Sequence, residues 1–181
     1  MRKPTFTSLF GVLAAICILA ACSPRFNWRD YHSEDAGYSV LFPGKPSILT
    51  RTVDLDGIKL SMTMNAAEVD GVSFAVGSAV VADAAKAQAA LGAMQAALVN
   101  NIGATVKRQS ASSTASTSGA VSRRNSIIEV EAIGAQHGVP VLLVGRFVAR
   151  DQHIYQVIVM GRESQVSRES VHTFINSFKL D

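Results

Sequence analysis

Two closely spaced glutamates and four histidines are the side chains of this sequence best suited to proton transfer or metal binding. Glu129 and Glu131 are two residues apart in a predicted strand, so their carboxylates lie on one face of it. Such a pair suits general acid and base catalysis or the binding of a hard cation. On the next predicted strand, Arg146 and Arg150 also share a face. We favour cross-strand pairing of these charges, which stabilises a sheet by about 0.2 to 1 kcal/mol per pair.

The histidines are isolated along the sequence, at positions His32, His137, His153 and His172. A hydrolase could place one of them beside a serine and an acid, because a catalytic triad needs geometry and not adjacency in sequence. The sequence has no Gly-x-Ser-x-Gly elbow, no His-Glu-x-x-His zinc motif and no glycine-rich phosphate loop. We therefore expect the histidines at surface or turn positions, and no catalytic residue, metal or cofactor.

The thiol of Cys22 stands at the end of a short string, Leu19, Ala20, Ala21 and Cys22. An aliphatic residue, two small residues and a cysteine, close to the start of a chain, are typical of the cleavage site of a bacterial lipoprotein signal peptide. In that class the sulfur receives diacylglycerol and the chain is cut just before the cysteine. The string therefore predicts that residues 1–21 are removed and that Cys22 becomes the acylated first residue.

The residues around this string support the same prediction. Arg2 and Lys3 give a positive start, and the apolar run 6–19 is shorter than the roughly 20 residues that a membrane-spanning helix needs. Ser23 occupies the second mature position, where an aspartate is the usual inner-membrane retention signal. We therefore expect a protein that is lipid-anchored in the cell envelope, on the periplasmic face of the outer membrane.

The charge balance of the predicted mature chain offers little to a nucleic acid. The sequence has 17 lysines and arginines against 14 aspartates and glutamates, and removal of Arg2 and Lys3 leaves one excess positive charge. A long basic run is absent from the sequence, and export across the inner membrane separates the chain from nucleic acid. Two short basic pairs are interpreted as solvated strand ends in preference to an anion-binding patch: Lys107-Arg108 and Arg123-Arg124.

Cysteine use limits the chemistry of the mature chain further. Cys17 lies in the predicted signal peptide and Cys22 is consumed by the anchor, and these are the two cysteines of the sequence. The mature chain therefore has no thiol for a disulfide, a metal site or a nucleophile. We expect its stability to come from packing in a single domain of residues 36–181, a length that supports its own core.

Hydrophobic alternation predicts that strands dominate this domain. Asp-Gly pairs at the Asp54–Gly57 turn and at Asp70-Gly71 are strong hairpin signals between alternating runs, and His137-Gly138 and Asp151-Gln152 supply later turns. The predicted strands are residues 38–42, 47–53, 58–68, 72–81, 126–133, 139–150 and 153–160.

Two helices are predicted between and after these strands. Asp83 is a suitable N-cap for an alanine-rich helix that runs to about Asn101, and Gly103 provides a left-handed stop. A second helix near the C-terminus has its apolar residues at spacings of three, one and three: Val171, Phe174, Ile175 and Phe178.

Two segments lack this periodicity. Residues 22–35 are polar and predict an acylated tether, in which Trp28 and Tyr31 either dock on the domain, as we favour, or contact the membrane interface. Residues 109–122 consist mainly of Ser, Thr, Ala and Gly, and this composition predicts a mobile surface loop.

Together these elements predict an α+β fold: one antiparallel sheet of about six to eight strands, with a central and a C-terminal helix packed on it, preceded by a cleaved signal helix. The segment Gly37–Pro46, the central helix, the strand with Tyr155 and the segment Phe174–Phe178 resemble the PsbP-like superfamily, which includes small DcrB-type bacterial envelope lipoproteins. The resemblance covers most of residues 36–181. It implies a role in binding or assembly.

Three functions remain open at this stage. The first is a non-enzymatic, lipid-anchored factor that binds another envelope protein for assembly or maintenance. The second is a carrier of a small apolar ligand or lipid, with a cavity of some 300 Å³ or more between sheet and helix. A groove for a ligand or partner would use Met62, Met64, Phe74 and Leu91, although alternation with polar neighbours favours the core for both methionines. The third and least favoured function is a hydrolase that uses His137 or His153.

Overall fold

The computed structural model describes residues 25–118 and 121–181 of the chain. The predicted signal peptide 1–21, the predicted lipidation residue Cys22 and the sorting residue Ser23 lie outside these ranges.

The described part of the chain contains ten strands and two helices. The strands in the first half are β1 (Arg29–Ser33), β2 (Tyr38–Phe42), β3 (Ser47–Leu55), β4 (Ile58–Val69) and β5 (Val72–Val80). The central helix α1 spans Ala84–Asn101. The later elements are β6 (Thr105–Ser118), β7 (Val121–Gln136), β8 (Val139–Arg150), β9 (His153–Arg162), α2 (Arg168–Ser177) and β10 (Lys179–Leu180).

The prediction of a single sheet in an α+β fold is wrong. Seven antiparallel strands form one sheet in the order β3-β4-β5-β9-β8-β7-β6, and a separate sheet has the order β1-β2-β10. Strands make up 59% of the structure and helices 19%, so the protein is mostly β. The division follows from Pro43 and Pro46 between β2 and β3, because proline has no N–H for a ladder and the chain changes layer there.

The seven-stranded sheet is the middle layer of three. On one face it packs against α1, and the interface is mainly aliphatic and rich in alanine. On the other face it packs against the small sheet and α2, and this interface holds most of the aromatic rings. Adjacent residues on β5 show the division, because Phe74 belongs to the aromatic core and Ala75 to the aliphatic core.

Helix α1 begins and ends as the sequence predicts. The Asp83 side chain accepts a hydrogen bond of 2.7 Å from the backbone N–H of Lys86, and Gly103 has a φ of 55° just beyond the helix. Ala87 and Ala90 are fully buried, so the helix axis can approach the sheet closely. Neither of the helices in the described ranges has the length and apolar character to cross a membrane.

The hairpin turns are also confirmed. Asp56-Gly57, Asp70-Gly71 and His137-Gly138 have positive φ at both residues, which is the backbone conformation of the two-residue turns that suit twisted antiparallel strands. Asp151 also has a positive φ, of 55°. These turns set the register of the large sheet.

The predicted loop over residues 109–122 is wrong, because most of this segment lies in β6 and β7. The two strands pair antiparallel from Thr105↔Ile133 to Ser118↔Val121, with a register shift between Val106 and Arg108. The side chains of residues 107–115 are exposed. A strand at the edge of a sheet needs no large apolar groups when backbone pairing with its neighbour holds it, and Thr and Ser tolerate the extended conformation.

The described part of the predicted tether is folded onto the domain. Residues 29–33 form β1, and Trp28 and Tyr31 pack on the aromatic core, which confirms docking. The Trp28 and Phe74 rings are 6.2 Å apart between centroids, and Tyr31 and Phe42 are 5.5 Å apart. The ordered chain therefore extends back to the first described residues.

Candidate functional site

An open groove runs along the outer side of α2 and β10, where the large sheet extends beyond its second layer. We call it the α2 groove. It consists of two clefts, of about 430 Å³ and 470 Å³, which share Arg146. The apolar residues that line it include Ile127, Val144, Val148, Val171, Ile175 and Phe178. Its arginines are Arg108, Arg146, Arg150 and Arg168.

The groove exists because the second layer is narrower than the sheet. Helix α2 packs against β2, β8 and β9, whereas β6 and β7 continue the sheet to one side of it. Val144 of β8 and Ile127 of β7 are partly buried at this step. A side of α2 and a strip of sheet therefore meet at an open angle with an apolar floor.

Arg146 fastens the C-terminal half of α2 to the sheet. Its Nε donates to Glu129 Oε1 at 2.9 Å, its Nη1 to the carbonyl oxygen of Ile175 at 2.8 Å, and its Nη2 to Asn176 Oδ1 at 3.0 Å. Glu129 and Arg146 are direct cross-strand partners of β7 and β8. The favoured structural interpretation of Glu129 is thus confirmed.

Glu131 has a different partner from the one that the sequence suggested. Arg168, at the start of α2, donates to both its carboxylate oxygens at 2.8 Å. The pKa of Glu131 lies below its ordinary value, and the largest cause is the hydrogen bonding from Arg168. Burial acts in the opposite direction and raises the pKa, whereas the positive charges of Arg168 and Arg108 lower it further. The same bonds raise the pKa of Arg168. The carboxylate is therefore held ionised at neutral pH.

The expected pairing of Arg150 with these glutamates is wrong. In the register of the large sheet Arg150 lies opposite Asn125, and Glu131 lies opposite Val144. Among the described residues Arg108 and Arg150 form no ion pair. Four arginines and two glutamates line the groove, so it carries two excess positive charges.

Asn125 lines the second cleft beside Thr114 and Arg150, and its Oδ1 is buried beneath the surface. Among the residues whose side chains the structure describes, this oxygen has no hydrogen-bond partner. A buried amide left unpaired costs about 1 to 3 kcal/mol, so such groups are rare in folded proteins.

The four residues predicted to line an apolar groove do not come together. Met62 and Leu91 are buried between the large sheet and α1, and Met64 is partly buried on the same face. Phe74 is fully buried on the opposite face, in the aromatic core. The methionines therefore take the core positions that their alternation favoured.

The histidines are separated in the fold. His137 lies in the turn before β8 and His153 is the first residue of β9, so they stand at opposite ends of β8. Among residues 25–115 and 125–181, whose side chains the structure describes, no side-chain hydrogen bond joins either of them to a serine or an acid. His153 stacks on Tyr155 with centroids 6.3 Å apart, His32 Nε2 lies 4.0 Å from Asp181 Oδ2, and His172 lines the α2 groove.

A buried tyrosine network connects the small sheet to the large one. Tyr31 donates to Asn65 Oδ1 at 3.0 Å, Asn65 donates to the Tyr38 hydroxyl at 2.8 Å, and Tyr155 donates to the carbonyl oxygen of Ala36 at 2.7 Å. Burial raises the pKa of both Tyr38 and Tyr155. These phenols stay protonated and act as hydrogen-bonding groups between layers.

Sequence reasoning missed Arg168 and Asn125. Arg168 is 37 residues from Glu131 and belongs to a helix whose polar face gave no sign of a partner. Asn125 lies between the predicted loop 109–122 and the predicted strand 126–133, so the sequence predicted no strand partner for it. In the described part of the chain, no group of three or more histidines, acids or cysteines is arranged to hold a metal ion.

Comparison with known proteins gives no family for this chain. No protein-family model matches it, and no curated protein matches it either. The resemblance to the PsbP-like superfamily therefore stays a prediction.

Proposed function

We propose that this chain is a lipid-anchored, non-enzymatic protein of the bacterial envelope that binds an extended segment of another envelope protein in the α2 groove. The observation that carries the proposal is the groove itself, with its apolar floor and its excess of arginine. The anchor is predicted from Leu19 to Cys22.

The dimensions of the groove suit a peptide in extended conformation. Its two clefts each fall within the range of about 300 to 1,000 Å³ typical of binding sites. They follow α2, whose ten residues span about 15 Å. An extended segment rises about 3.3 Å per residue, so four or five residues lie alongside the helix and further residues would reach β10.

The chemistry of the lining indicates what that segment carries. Apolar side chains at alternate positions would contact Ile127, Val144 and Val148, and acidic side chains would face Arg108 and Arg150. The proposed partner segment therefore alternates aliphatic and acidic residues.

Catalysis is a weaker account of the same site. The carboxylates of Glu129 and Glu131 are each held by an arginine, and the pKa of Glu131 is lowered, so Glu131 is unsuited to donate a proton near neutral pH. The carrier alternative is also weaker, because Leu91 and Met62 fill the space between sheet and α1 and Phe74 lies on the other face.

A photo-crosslinking amino acid placed on β6 in living cells tests the proposal. At Thr114 it lines the groove, whereas at the adjacent Ser113 it points to the opposite face of the same edge strand. We expect a protein adduct from the Thr114 position that is lost when Arg150→Glu is added, and none from Ser113. Equal adducts at both positions, or a lipid adduct alone, would contradict binding of a protein segment in the groove.

A further inference from the structure

The first described residues are fixed to one end of the domain. Arg25 Nε lies 2.6 Å from Asp70 Oδ2, in the turn between β4 and β5. The next side chain, Phe26, stacks on Trp28 at 5.5 Å and meets the edge of Phe74 at 6.2 Å. The backbone N–H of Asn27 donates to the carbonyl oxygen of Pro43 at 3.1 Å.

These contacts shorten the tether that the sequence suggested. Residues 22–35 would allow a separation of tens of ångströms between anchor and domain. Three peptide steps separate Cys22 from Arg25, and they span at most about 11 Å. An acyl chain on Cys22 would therefore hold the Asp70 turn close to the bilayer surface.

Several loops share that end of the large sheet. A cleft of about 600 Å³ is lined by Asp70, Gln136, His137, Arg162 and Gln165, so the turns before β5 and β8 and the segment after β9 lie together. We call this the Asp70 end. The opposite end holds the turns before β2 and β9 and the C-terminus, which line a cleft with Asp35, Asp151 and Asp181.

The net charge also differs between the two ends of the domain. Four acids and one arginine, Arg150, line the cleft at the opposite end. Asp83 also lies there, next to Val81, whose N–H donates to the carbonyl oxygen of Gln152. The Asp70 end mixes its acids with Arg25 and Arg162. An anionic bilayer repels an acidic end and tolerates a mixed one, within a Debye length of about 8 to 10 Å.

We infer that the domain stands end-on at the membrane, with the Asp70 end against the lipid headgroups and the aspartate-rich end pointing away. The inference depends on the acylation of Cys22 in the proposed function. The α2 groove then runs along the side of the domain, from Arg168 near the bilayer to Arg150 away from it. A partner segment would reach it from the aqueous side without entering the bilayer.

Two single-cysteine variants test this orientation in the acylated full chain. Gln136→Cys, at the end of β7, and Gln152→Cys, in the turn after β8, are exposed positions at the two ends of β8, about 40 Å apart along a 12-residue strand. An acylated Cys22 leaves the new thiol as the labelling site. The labelled protein is placed in vesicles of phosphatidylethanolamine and phosphatidylglycerol that carry a headgroup energy acceptor.

We expect energy transfer from position 136 to exceed transfer from position 152 by roughly twofold or more, because only the former lies next to the acceptors. A spacer of glycine and serine, about 20 residues long, inserted between Pro24 and Arg25 has a mean end-to-end distance of about 25 Å and should bring the two efficiencies together. Equal efficiencies without the spacer, or the reverse order, would overturn the orientation.

Intact mass of the purified protein separates the two proposals. An acylated chain with equal transfer at both positions overturns the orientation and leaves the anchor in place. A mature chain that keeps residues 1–21, or whose Cys22 carries no acyl group, overturns the anchor and the orientation together.

Discussion

The two faces of the seven-stranded sheet are covered in different ways. On the first face the alanine-rich helix α1 packs closely, and Met62, Leu91 and Met94 fill the interface. On the second face the aromatic cluster, with Phe74 and Phe174 at its centre, supports a small sheet and a short helix that cover only part of the available surface. The first face is therefore a closed core, whereas the second combines a core with an open groove.

The difference shows that a binding surface can arise where one layer of a fold is narrower than the sheet that it covers. The floor of the groove is formed by β7 and β8, which pair as regular antiparallel strands. Rigid elements hold such a surface better than loops do. Substitutions on the two faces should therefore separate the support of the groove from the stability of the whole fold.

The largest expected effect is on the aromatic face. Phe174 is fully buried, and its ring centroid lies 5.4 Å from those of Phe42 and Phe74. Phe174→Ala should lower the free energy of unfolding by about 3 to 5 kcal/mol, measured by urea denaturation. Because Phe174 attaches α2, this variant should also lose the groove.

Met94→Ala is the matched change on the closed face. It removes a buried side chain of α1 from the aliphatic core. The free energy of unfolding should fall by about 2 to 5 kcal/mol, and α2 should stay attached to the sheet. Hydrogen exchange of the α2 amides distinguishes the two variants at equal overall stability. The two faces would not be independent if Met94→Ala accelerated exchange of the α2 amides, or if Phe174→Ala left that exchange unchanged.

Two glycines give opposite smaller effects on the closed face. A Cβ at Gly134 would clash with the carbonyl oxygen of Ile102, where α1 ends against β7, whereas a Cβ at Gly92 in the middle of α1 meets open space. Gly134→Ala should destabilise by about 1 to 3 kcal/mol. Gly92→Ala should stabilise by about 0.5 to 1 kcal/mol. A stabilising Gly134→Ala would show that α1 approaches the sheet less closely than described.

The smallest effect comes from the ion pair at the mouth of the groove. The Arg168 side chain is 67% exposed, so its pairing with Glu131 should contribute less than about 1 kcal/mol at neutral pH. A double-mutant cycle with Glu131→Gln and Arg168→Gln measures it. The pKa of Glu131 is lowered by folding, so this contribution is present above the ordinary pKa of a glutamate. It should be lost as the pH falls through the lowered value, and a coupling that grows on acidification would refute this assignment.

The local features of the fold could be predicted from the sequence. Asp83, Gly103 and the Asp-Gly pairs act within a few residues, through caps and turns, and the structure has them where the sequence predicts. The C-terminal helix followed from the spacing of Val171, Phe174 and Ile175. Such signals are local, so their meaning does not depend on the rest of the chain.

The features that were missed depend on distant pairing. The small sheet requires Lys179 to pair with Ser39, and alternation in each strand carries no information about that partner. Strand β6 was missed because its serines and threonines need no core when β7 supplies the backbone hydrogen bonds. The groove is an uncovered strip of sheet, and a sequence does not state which part of a sheet its second layer leaves open.

Binding of a defined acidic peptide tests the central claim most directly. A fluorescent nonapeptide that alternates valine and glutamate is titrated with the full chain, and its lysine counterpart serves as the charge control. We expect the acidic peptide to bind, with an affinity that falls tenfold or more in Arg108→Glu/Arg150→Glu, since each interfacial charge reversal costs roughly 1 kcal/mol or more. The matched variant Arg51→Glu/Lys59→Glu, on the other edge of the large sheet, should bind as the parent does. Equal binding of both peptides, or equal losses in the two double variants, would contradict a peptide-binding α2 groove.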